Sequence, residues 1–216
     1  MTKEEDDLRR QMLDDEDSAV AEPISGKISE QTFEEALAVA SPLTRDERIL
    51  INWYTPEGRV IPAIIRDISS STGLSYSLIV ETALAHGFAL FSEKHKDAIE
   101  LVRGLDTASL GMSAKSLYFQ YLNHKPVIGK NIMRERVCTD EPTSEELNRV
   151  ASILNTSRAH LAGCCILTSL CSSEVYISEE SKKFLREFIV EFEIHMELMQ
   201  VHAIKLMEKF NEEQKK

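Results

Sequence analysis

The chain of 216 residues carries 25 basic and 36 acidic side chains, a net charge of −11, with 43% hydrophobic and 28% charged residues. That balance belongs to a globular protein with ample material for a core, and no apolar stretch approaches the roughly 20 residues of a membrane span. The opening MTKEEDDLRRQMLDDEDS lacks the apolar segment of a secretory signal, and Cys138, Cys164, Cys165 and Cys171 form no CxxC pair, so reduced thiols and a cytoplasmic setting are expected.

The charge is unevenly placed. Residues 1–40 hold 4 basic and 12 acidic side chains, residues 41–177 hold 14 and 15, and residues 178–216 hold 7 and 9. The acidity therefore sits mostly in the leading segment, and the body is close to neutral. Net acidity counts against a nucleic-acid partner, while a near-neutral body leaves room for a local basic face.

Residues 1–28 read as an acidic disordered leader. Thr32 and Glu35 stand at capping-box spacing, which predicts a short helix over 32–40 ending before Ser41-Pro42. The segment 48–54, RILINWY, has strand character, with Ile49, Ile51 and Trp53 facing inward and Arg48, Leu50, Asn52 and Tyr54 outward. Thr55-Pro56-Glu57-Gly58 is a turn signature. Because Pro62 inside a helix would cost about 3 kcal/mol, the next helix is expected to begin near 62, with the proline in its first turn. Arg59-Val60-Ile61 then remains a rival extended piece.

Helices over 62–72 and 76–94 are predicted, broken at Thr72-Gly73-Leu74, followed by two short helices within 97–125 split near Gly111. NIMRERVCT, 131–139, is the second strand, with Met133 and Val137 on one side and Arg134 and Arg136 on the other. Helices at 143–154 and 157–171 follow. The last segment, 178–213, reads as one long helix opened by Ser178. Phe184, Phe188, Phe192, Met196, Met199, Leu206 and Phe210 recur along it at near-heptad spacing, which predicts an oligomerisation stripe and a homodimer.

The chain repeats itself. Superposing Gly73 on Asn155, 82 residues further on, brings Ile65 onto Leu147, Ile68 onto Val150, Ser75 onto Ser157, Ile79 onto Leu161 and Ala83 onto Cys165. The implied organisation is the leader (1–28), a first repeat with its preceding helix (29–97), a helical connector (98–130), a second repeat (131–173) and the C-terminal helix (174–216).

A strand followed by two helices, with Gly73-Leu74-Ser75-Tyr76-Ser77-Leu78-Ile79 or Asn155-Thr156-Ser157-Arg158-Ala159-His160-Leu161 at the joint, resembles the ribbon-helix-helix family of DNA-binding proteins. The resemblance covers about 48–92 and 131–172. It implies a mainly α fold: a tandem ribbon-helix-helix pseudodimer with a short antiparallel β-ribbon, plus the long C-terminal helix. It also implies a sequence-specific binder of double-stranded DNA, a transcriptional regulator associated with the nucleoid, whose ribbon enters the major groove. Arg134 and Arg136 would then read guanine, with Asn52 and Tyr54 as further base readers. Ser75, Tyr76, Ser77, Ser157 and Arg158 would hold phosphates at the second helices' N-termini.

The run ISSSTGLSYSLIVETAL also scans as a helix-turn-helix, but a recognition helix is polar where it meets the groove, whereas Leu78-Ile79-Val80 and Cys164-Cys165-Ile166-Leu167 read as buried. The pairs His160/Cys164 and His195/His202 lack the remaining ligands of a zinc site, so no metal is expected. No cofactor fingerprint or catalytic constellation occurs, and a non-enzymatic role is expected. The alternative reading is a protein-interaction or assembly module that reuses the same fold.

Overall fold

The computed structural model describes residues 31–56, 60–107, 132–154 and 156–190, with 193, 196, 204 and 208 singly. Its elements are α1 (Phe33–Ala38), β1 (Ile49–Pro56), α2 (Val60–Thr72), α3 (Tyr76–Lys94), α4 (Lys96–Thr107), β2 (Ile132–Thr139), α5 (Glu141–Ile153) and α6 (Arg158–Ser172). A last helix, α7, covers 179–190, and the backbone is helical again at the four single positions. The expected leader, the region around Gly111, and Asn155 lie outside the described residues. The fold is mainly helical, with one two-stranded antiparallel sheet.

Local chemistry sets most boundaries. At α1 the Glu35 N–H donates to Thr32 Oγ1 at 3.2 Å and the Thr32 N–H donates to Glu35 Oε2 at 2.9 Å, the reciprocal capping box. Strand β1 runs further than RILINWY, because Thr55 and Pro56 pair with Met133 and Ile132. The rival extended piece is overturned at Val60 and Ile61, which are helical; Arg59 lies outside the described residues. Helix α2 starts two residues before Pro62 and still keeps it in the first turn, where a missing N–H breaks no helical bond.

The two joints are built alike. Gly73 adopts φ 74° and its N–H donates to Ser69 O at 2.9 Å, ending α2 in the left-handed conformation that glycine tolerates. The chain then bends by 106° into α3, whose N-cap is Ser75. In the second half Asp140 caps α5, the Thr156 N–H closes onto Ala151 O at 2.9 Å, and Ser157 caps α6.

The core lies between the sheet and two long helices. Helices α3 and α6 cross at its centre so closely that a Cβ on Gly87 would stand 1.8 Å from Cys165 O. Helix α6 packs on β1 and α3 on β2, so each long helix rests on the strand from the other half of the chain. A Cβ on Gly163 would meet Tyr54 O at 2.2 Å, a measure of how tightly α6 lies on β1. Trp53, Ile51, Ile65, Ile79, Leu84, Leu147, Leu154, Leu161 and Ile166 are fully buried here. No single described helix is long and apolar enough to cross a membrane.

Helix α7 opens at Ser178, whose Oγ accepts from the Ser181 N–H at 3.2 Å. Its buried stripe is Leu185, Ile189 and, further on, Met196, all joined to the core of the same chain. Met196 is the member of the expected stripe among them. Phe184 and Phe188 are half-buried on its flank, edge-to-face with centroids 5.2 Å apart. Phe192, Met199, Leu206 and Phe210 lie outside the described residues.

Candidate nucleic-acid interface

Antiparallel pairing runs from Ile49↔Thr139 to Pro56↔Ile132. Because side chains alternate across a strand, this register settles which residues share a face. Ile51, Trp53, Thr55, Val137 and Thr139 are buried toward the helices. The opposite face carries Leu50, Asn52, Tyr54, Arg134, Arg136 and Cys138. Arg134 and Arg136 are exposed, and Asn52 and Tyr54 are half-buried.

All four expected base readers meet on this face. They form two neighbouring same-face pairs, Asn52↔Arg136 and Tyr54↔Arg134. The repeat alignment equates Asn52 with Arg134 and Tyr54 with Arg136, and in an antiparallel ribbon such equivalents lie diagonally about a central pair. That pair is Trp53↔Glu135, whose members are themselves 82 residues apart. Neither guanidinium has an ion-pair partner among the described residues. The face bears two positive charges and no carboxylate, since Glu135 belongs to the core-facing phase.

The N-termini of α3 and α6 are less open than the phosphate-binding expectation requires. Ser75 Oγ is occupied by the Leu78 N–H at 3.2 Å and Ser157 Oγ by the His160 N–H at 3.1 Å. The backbone N–H groups of Tyr76 and Ser77, and of Arg158 and Ala159, lie in first turns where helical geometry supplies no partner. Ser77 is exposed. Burial first, then the Glu135 carboxylate, raises the Tyr76 hydroxyl above its ordinary pKa, while Arg66 opposes them, which brings the α3 terminus into the field of β2. Arg158 has a structural bond as well: its Nη1 donates to Ser144 Oγ at 3.2 Å, tying α6 to α5.

Two groups that the sequence reading passed over stand out. Glu81 is buried to 9% exposure on α3, and its Oε1 has no hydrogen-bond partner among the described residues. Desolvation raises its pKa, with Arg48 partly opposing. His86 is buried between Ser169 Oγ and Gln31 O, each 2.9 Å from a ring nitrogen. A lone carboxylate and a lone imidazole inside LIVETALAHGFAL were the available signal. Trp53 Nε1 is likewise buried without a partner among the described residues.

The cysteines are free thiols, and burial raises the pKa of Cys164 and Cys165 and pushes that of Cys171 up to about 11. Among the described residues no group of three His, Cys, Asp or Glu side chains is placed to hold a metal ion. His195 and His202 lie outside the described residues. No family model, curated protein or solved structure matches this chain.

Proposed function

We propose that the chain is a sequence-specific DNA-binding protein, a non-enzymatic transcriptional regulator of the cytoplasm and nucleoid. In this reading it is a tandem ribbon-helix-helix pseudodimer that lays its β1–β2 ribbon in the major groove. The observation that carries the reading is the shared outer face of Asn52, Tyr54, Arg134 and Arg136, with both guanidinium groups exposed and free of ion pairs among the described residues. Guanidinium matches guanine O6/N7 in a bidentate manner, and an asparagine amide matches adenine N6/N7. The exchange of long helices between the strands, and a ribbon centred on a pair 82 residues apart, support two repeats acting as one pseudo-symmetric unit.

The phosphate contacts in this reading are the first-turn N–H groups of α3 and α6, around Tyr76–Ser77 and Arg158–Ala159, rather than the Ser75 and Ser157 hydroxyls. Self-association through the C-terminal helix belongs to the same proposal. Phe184 and Phe188 are only half-buried, and Val190 and Ile204 are 45% and 43% exposed.

A random-sequence selection with the purified chain tests the proposal. A preferred site should emerge, and Arg134→Ala or Arg136→Ala should weaken it by about 1–3 kcal/mol without altering the thermal midpoint. Selection of the same site by the double variant removes both arginines from the reading role. The rival, a protein-interaction module on the same fold, is favoured by the net charge of −11. Under it, binding to any duplex would be absent even at low salt.

A further inference from the structure

We propose that the trough between α3, α6 and the C-terminal helix is a binding site for a carboxylic acid with a short alkyl tail, its carboxylate held by Arg186. Two adjoining cavities, of about 250 Å³ and about 280 Å³, share Thr168, Ile189 and Glu193 in their walls. The first is the more apolar, with Leu90 and Phe91 from α3, Cys164 from α6 and Ile189 from α7. A cavity of roughly 150 Å³ with apolar walls holds benzene, so this one has room for a tail of about seven carbons. The second carries Arg186 opposite Cys171 and Ser172. Among the described residues none of the β1–β2 ribbon enters either wall, so the site stands whether or not the ribbon binds DNA.

The charged groups around the trough decide the head group. Lys94 and Glu193, both in the wall of the apolar cavity, offset each other in an ion pair. His95 lies against Phe91 with ring centroids 4.7 Å apart and adds no charge near pH 7, because burial, then Lys94, holds its pKa at about 4 against Glu193. Burial pushes the Cys171 thiol up to about 11, which keeps it neutral. Arg186 is the charge that opposes this shift most, so its guanidinium field reaches across the second cavity. Lys182, the next of the opposing charges, is tied to Glu179 at 2.7 Å. Arg186 itself is exposed and has no ion-pair partner among the described residues. The unpaired charge facing the trough is therefore one guanidinium, whose planar fork matches a carboxylate in a bidentate manner. An apolar pocket with one such group at its end binds an amphipathic acid: burial holds the tail and the charge fixes its direction.

A methyl-resolved NMR titration of the full chain with octanoate provides the test, with hexanoate, octylamine and 1-octanol as comparisons. Octanoate should shift the methyl resonances of Leu90 and Ile189. Each methylene added between hexanoate and octanoate should tighten binding by about fourfold, the equivalent of ~0.8 kcal/mol per buried methylene. Octanoate should bind about fivefold more tightly than octylamine, the size expected of an ion pair within reach of solvent. Arg186→Gln, a change at an exposed position, should erase that preference while 1-octanol binds as before. Octylamine binding as tightly as octanoate to the wild-type chain, or an unchanged preference in R186Q, would overturn the assignment of the head group. An affinity that does not grow with tail length, or octanoate that leaves Leu90 and Ile189 unmoved, would overturn the site.

Discussion

Replacing Gly87 by alanine sets two opposing effects against each other. In an exposed helix interior the change would stabilise by about 1 kcal/mol, since alanine is the better helix former. At position 87 the added Cβ would stand 1.8 Å from Cys165 O, 2.5 Å from Cys165 C and 3.1 Å from Ser169 Cβ. The first two are backbone atoms of a buried helix, so no rotamer change relieves the clash. Helices α3 and α6 would have to part by about 1.6 Å to reach the 3.4 Å at which ordinary contact begins. Overpacking of this kind costs about 1–3 kcal/mol and occasionally more. Here it falls on the central crossing of the core, so the upper end applies and the net loss should be about 2 kcal/mol. Urea unfolding followed by circular dichroism measures it. Gly73→Ala is the control: nothing lies within 4 Å of its added Cβ, and its φ of 74° costs about 1–2 kcal/mol through backbone strain alone. A G87A midpoint at or above wild type would refute the close crossing of α3 and α6.

Burial, then the neighbouring Lys94, lowers the His95 pKa from 6.5 to about 4, against the pull of Glu193. A depressed histidine pKa gives stability that is present above pH 6.5 and lost as pH falls through about 4. His95→Gln should flatten the loss of thermal midpoint across that window, and an unchanged slope would assign the acid sensitivity elsewhere. Deleting residues 1–28 removes most of an acidic segment whose charge, on the DNA-binding reading, competes with phosphates. Binding to random DNA should then strengthen more than binding to the selected site, most clearly at low salt; weaker binding to both would make the segment part of the contact surface. For self-association, sedimentation should find a dimer that dissociates when Phe188 and Phe192 are both replaced by serine. A stable wild-type monomer at micromolar concentration would sink that part of the proposal.

What was legible in the sequence follows from the range of the forces involved. The capping box of Thr32 and Glu35, the break at Gly73 and the alternation of both strands are written in residues a few positions apart, and the structure has them where that chemistry puts them. Pro62 left the end of the first strand ambiguous because one residue fits a helix start at 60 as well as at 62. The C-terminal stripe is legible in part: Met196 is buried as the periodicity suggests, while Leu185 and Ile189 join the core and Phe184 and Phe188 pack half-buried beside them.

For Glu81 and His86 the residue types were legible in the apolar run, but their surroundings are set on a longer scale. His86 is enclosed by Gln31, 55 residues earlier in the chain, and by Ser169, 83 residues later. Residues of the α1 region, the β2–α5 junction and α3 together make the wall around Glu81. No window of sequence holds those partners together. The same distinction separates the arginine face from Glu81. The arginine face is a consequence of strand period and register, so its geometry was available before the fold; what it contacts depends on charge placed elsewhere, including an acidic leader. The burial of Glu81 is a consequence of assembly alone: its surroundings come from segments far apart in the chain, and desolvation among them is what raises its pKa, with the Arg48 charge opposing.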